Sequence, residues 1–81
     1  MLTKFVVRKS YKNSSVEVRC YDNLAEAIED AKNLYKTNEI ERKLFGFEVV
    51  VEESRFADEK RLYQDFAIDR HIRWASYFDE V

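Results

Sequence analysis

Between residues 3 and 52 the apolar positions change period twice, and that succession constrains the fold more than any other feature of the chain. Residues 3–8 (Thr-Lys-Phe-Val-Val-Arg) have strand character. In residues 15–21, Val16, Val18 and Cys20 alternate with Glu17, Arg19 and Tyr21, the period of two of a half-buried strand. The polar run of residues 9–14 between them predicts a hairpin. Then the period lengthens: Leu24, Ala27, Ile28, Ala31, Leu34 and Tyr35 fall on one side of a helix over about residues 23–36. Asn23 offers an N-cap oxygen, and Glu26 three positions on can complete a capping box. Residues 36–43 form a charged connection containing Ile40, after which Phe45, Phe47, Val49 and Val51 alternate with Gly46, Glu48, Val50 and Glu52 as a third strand.

A hairpin followed by a crossing helix delivers the third strand antiparallel to the first. The expected core is therefore β-β-α-β over residues 3–52, a three-stranded antiparallel sheet of order 2-1-3 with one wet face. Residues 55–81 hold six of the twelve aromatics and no Gly or Pro. Wound as a helix, they put Tyr63, Phe66, Ala67, Trp74, Tyr77, Phe78 and Val81 on one face, and Ile68, Ile72 and Ala75 on another. The reading is thus a single α+β domain over residues 1–81 closed by a long C-terminal helix. Its expected core is Phe5, Val7, Val16, Val18, Leu24, Ile28, Ala31, Phe45, Phe47, Val49, Phe66 and Trp74.

An 81-residue chain has room for one core and buries only about 60–65% of its unfolded surface. Cys20 is alone and can form no internal disulfide, which fits a reducing, cytoplasmic setting. No stretch approaches the roughly 18 apolar residues of a membrane helix, and the amino terminus has no signal-peptide pattern. With one glycine and no proline, glycine-rich phosphate cradles and proline-rich ligands are excluded.

Groups that could do chemistry are sparse. His71 is the only histidine, and no second nitrogen, thiolate or carboxylate recurs at metal-ligand spacing. Cys20 continues the Val16–Val18 face and is expected in the core. Asp65 and Asp69, and the adjacent Glu52 and Glu53, are carboxylate pairs of the kind any highly charged chain contains. Neither an enzyme nor a cofactor or metal is expected, because catalysis needs several convergent groups.

Two surfaces are candidates for binding. The stripe Ile68, Ile72 and Ala75 has no obvious partner within so small a domain, and with Trp74 and Tyr77 it suggests a protein interface. A two-fold homodimer through that stripe is one solution. The other surface is the N-terminal hairpin. Residues 1–20 carry net +4, leaving −6 for the remainder of a chain whose net charge is −2. Lys4, Arg8, Lys12 and Arg19 would be the phosphate-contacting residues of a nucleic-acid-binding ribbon.

The hairpin–helix–strand pattern over residues 3–52, with Tyr21-Asp22-Asn23-Leu24-Ala25-Glu26-Ala27-Ile28 at the helix start, resembles small accessory proteins of tailed bacteriophages. The lysine-, asparagine- and tyrosine-rich composition is similar to that of proteins from AT-rich phage genomes. The resemblance implies binding and blocking of a host factor, such as a defence nuclease, a toxin or a polymerase. It carries no site residue over, since no family motif is matched. The expectation is a regulatory or inhibitory protein that binds another protein in the host cytoplasm, with nucleic-acid binding through the hairpin as the alternative.

Overall fold

The computed structural model of the chain describes residues 1–79. Four strands, β1 (Leu2–Ser10), β2 (Ser15–Tyr21), β3 (Glu48–Phe56) and β4 (Asp69–Ala75), form one sheet of order β2-β1-β3-β4. Every neighbouring pair is antiparallel. Helices α1 (Leu24–Thr37) and α2 (Glu39–Phe45) separate β2 from β3; the short α3 (Glu59–Tyr63) lies between β3 and β4, and a 3-10 turn (Ser76–Asp79) follows.

On β1 and β3 the α1 face of the sheet is built from odd-numbered positions. Val7 pairs with Val51, and Val51 with Trp74, so one row of apolar side chains crosses three strands. They pack with Phe47 and Val49 against Ala27 and Ala31, while Leu24, Ile28, Leu34 and Tyr35 close the rim. Two alanines at i, i+4 let the helix approach the sheet closely, and each fully buried valine contributes about 1.5–3 kcal/mol. Helix α1 starts where it does because Asn23 Oδ1 accepts the Glu26 N–H at 3.1 Å. Gly46, in the left-handed region at φ 67°, ends α2 and donates its N–H to Arg42 O at 2.8 Å.

The sheet has four strands rather than three, and the long helix expected over residues 55–81 does not form. That stretch instead completes β3, makes α3, and returns as β4. A three-stranded sheet would leave the outer backbone groups of β3 unpaired; β4 satisfies them and delivers Trp74 to the core beside Val51. Val81 lies outside the described residues. The third strand begins at Glu48, not near Phe45, because α2 runs to Phe45 and Gly46 turns the chain.

Nor is the second face wet. Val6, Arg8, Val50, Ser54, Phe56 and Ala75 are buried there. The β3–β4 connection returns over this face: the Ile68 N–H donates to Arg55 O at 2.7 Å, and Asp65 reaches Arg8. Among the residues expected in the core, Val16, Phe45 and Phe66 are exposed, and so is Cys20. Val16 and Cys20 lie on an edge strand. Phe45 belongs to a helix with no buried residue, and Phe66 to the connecting loop.

Candidate protein-interaction surface

The charge asymmetry of the sequence is cancelled inside the fold. Lys4 donates to Asp22, Lys9 lies 3.3 Å from Glu41, and Arg19 lies 3.4 Å from Asp30. The Lys4 ammonium is held above its ordinary pKa, chiefly by the hydrogen bond to Asp22. Arg8 is buried on the face away from α1. Its Nη2 donates to Asp65 Oδ1 at 3.4 Å, and its Nε lies 3.3 Å from Glu52 without hydrogen-bond alignment. Lys4 and Arg8 do share a face, as expected, but Arg19 turns to the α1 side because β2 carries a bulge between the partners of Val7 and Arg8. Of the four expected phosphate-contacting residues only Lys12, exposed at the hairpin tip, has no ion pair among the described residues.

The apolar candidates divide. Trp74 and Ala75 are buried, one on each face of β4, and are not available to a partner. A bulge at Arg73, between the partners of Val51 and Glu52, puts Ile72 on the face opposite Trp74 and on the same face as Ala75, but Ala75 is buried there while Ile72 is exposed. Ile68, Ile72 and Tyr77 are exposed. Tyr63, expected on the aromatic helix face, and Phe66, expected in the core, are exposed as well. Tyr63, Phe66, Ile68 and Ile72 thus fall within ten residues at and just before β4, whose outer edge pairs with no strand among the described residues.

A second exposed apolar group was hidden in the presumed connection of residues 36–43. Ile40, Leu44 and Phe45 of α2 are all exposed. The signal for it was present: Ile40 and Leu44 at i, i+4, Glu39 and Lys43 at i, i+4, and a glycine just after.

The titratable candidates are mostly taken up in ion pairs. His71 is exposed on β4, with Asp69 at 3.9 Å. Asp69 is committed to Arg55, whose Nε donates to both its oxygens at 2.8 and 3.0 Å. That contact holds the Asp69 carboxyl below the usual carboxylate range. Asp65 sits in a left-handed turn at φ 57° and bridges Arg8 and Arg70. Glu52 and Glu53 project to opposite faces, toward Arg8 and Arg73 respectively. The Cys20 thiol is held above its ordinary pKa, first by desolvation and then by Glu17, so little reactive thiolate is present. Among the described residues no three His, Cys, Asp or Glu are placed to hold a metal ion. An open hollow of about 700 Å³ along α1 is lined by Tyr21, Glu26, Glu29, Asp30, Lys32, Asn33 and Lys36. It is open to solvent and walled largely by charged side chains, unlike the enclosed apolar sites that small molecules favour.

No helix among the described residues is long and apolar enough to cross a membrane. The arrangement defines a small α+β domain with exposed apolar groups at a sheet edge and on a short helix. No protein-family model, curated protein or solved structure matches the chain.

Proposed function

We propose that this chain is a small regulatory or inhibitory protein that acts by binding another protein along the β4 side of its sheet. One observation carries the reading: Tyr63, Phe66, Ile68 and Ile72 are exposed within ten residues beside a strand edge unpaired among the described residues. A sheet edge offers unpaired N–H and C=O groups to an extended segment of a partner, and flanking apolar side chains supply contact area. Asp69, Arg70, His71 and Arg73 give the edge mixed charge, which suits a protein surface better than a polyanion. The hairpin cations are engaged within the chain, so nucleic acid is left with Lys12. By resemblance to phage accessory proteins, the target class is a host factor in the cytoplasm, such as a defence nuclease, a toxin or a polymerase.

Affinity capture from bacterial lysate, with and without nuclease treatment, tests this. The expected result is a nuclease-resistant protein partner lost on Ile72→Lys and kept on Lys12→Ala, since a central apolar contact costs about 2 kcal/mol or more when removed. Recovery of only nuclease-sensitive material sinks the proposal.

A further inference from the structure

We infer that the exposed face of α2 is a self-association surface, with Ile40 and Leu44 packing antiparallel against the same residues of a second copy of this chain. It is separate from the β4 edge and does not depend on that edge's target. Seven residues are too few for a helix to be stable alone, and α2 buries none of its own side chains. Its hold on the body is one-sided. Arg42 Nε donates to Tyr35 O at 2.8 Å, and its guanidinium lies 3.7 Å from the Tyr35 ring centre. Because Arg42 points inward, Ile40 and Leu44, two positions either side of it, point outward, and they are 77% and 73% exposed.

Charge decides what covers this stripe. Glu39 and Lys43 lie 3.1 Å apart along one flank of it. In an antiparallel pair about a two-fold axis, each flank meets the same flank of the other copy. With Ile40 opposite the partner's Leu44, Glu39 falls beside the partner's Lys43 and Lys43 beside the partner's Glu39. On the other flank the two Glu41 carboxylates approach, and each is already neutralised by its own Lys9 at 3.3 Å. The stripe is therefore complementary to itself, which a surface made for an unrelated partner has no reason to be. Phe45 adds area, and Tyr77 and Phe78 stand at the same end of the sheet, since Ser76 Oγ accepts the Val49 N–H at 3.0 Å. These side chains offer roughly 400–500 Å² per copy, twice that across the pair, which is the range of transient dimers.

Sedimentation equilibrium of the full chain from about 1 to 500 μM tests the inference. The expected weight-average mass rises from 9.8 kDa toward twice that value with concentration. Leu44→Asp should stay monomeric throughout. Lys43→Glu should weaken association about tenfold, and Glu39→Lys combined with Lys43→Glu should restore it to within about threefold, because the swap preserves the two-fold pairing. Far-UV circular dichroism identifies any variant that has lost its fold, and the charge-swap pair decides in that case. A wild-type monomer at 500 μM overturns the inference. So does a dimer that Ile72→Lys dissociates and Leu44→Asp does not, or a double swap that associates no better than Lys43→Glu alone.

Discussion

The two faces of this sheet reach burial by different means. The α1 face is an apolar layer: valines and Trp74 under a helix that presents two alanines, with Lys9 over the Phe47 ring and Arg42 over the Tyr35 ring at its margin. The opposite face is covered by a twelve-residue connection, residues 57–68, too short to bring a comparable apolar layer. There the fixing is electrostatic. Arg8 lies beneath the loop, contacts Glu52 from below and Asp65 from above, and Asp65 also accepts from Arg70 at 3.0 Å. A helix covers a sheet by area. A short loop has little area, so a few directional contacts at one point must hold it down.

Truncation on the apolar side should show the largest effect. Trp74→Ala removes the side chain that ties β4 to α1, and should cost about 3–5 kcal/mol in denaturant unfolding, with loss of the whole cooperative transition. A cost under about 1 kcal/mol would mean that β4 is not part of the core. Next in size is Arg8→Met, which keeps the volume and removes the charge. Asp65 is half exposed and can be rehydrated, so the expected cost is about 1–3 kcal/mol, below that of breaking a fully buried pair. Hydrogen exchange should separate the faces: amides of residues 57–68 exchange faster in this variant while those of α1 keep their protection. Equal loss of protection on both sides would erase the distinction drawn here.

The smallest effect belongs to the pairs at the solvent end of the α1 face. Asp69 is held below its ordinary value of 3.8 by Arg55, so its contribution is present above that pH and disappears as pH falls through the lower folded value. Asp69→Asn should therefore match the parent in acid, well below pH 3.8, and be slightly less stable at neutral pH. A stability difference that grows on acidification would contradict the pairing.

How much of this was legible follows from where the periods hold. The α1 stripe and the Phe5–Val7 face keep their spacing without interruption, and α1 forms one residue from its expected limits. In β4 the bulge at Arg73 shifts the alternation by one, placing Ile72 on one face and Trp74 on the other. Two residues of the same parity then face opposite ways, and what survives looks like two helical stripes. The bulge in β2 does the same to Val16, Val18 and Cys20. Val49, Val50 and Val51 in unbroken succession signalled a strand buried on both sides, a signal that a one-faced reading of β3 passes over. As for the candidate surface, Ile68 and Ile72 stood out because nothing in the pattern claimed them. Ile40 and Leu44 were masked by the charges around them, which suggested a connection although their own spacing was helical.

The junction after α2 has a consequence that is stereochemical. A β-carbon built on Gly46 would meet nothing within 4 Å, so the position has ample room for a side chain. What it lacks is the right handedness, since φ 67° is where an L residue sets its β-carbon against its own backbone. Aspartate tolerates the similar geometry at position 65, but the turn into β3 has been given to the chain's sole achiral residue. A mirror-image alanine would fit this corner without strain, and it would also restrict the unfolded chain more than glycine does. Chirality, not crowding, is what reserves position 46.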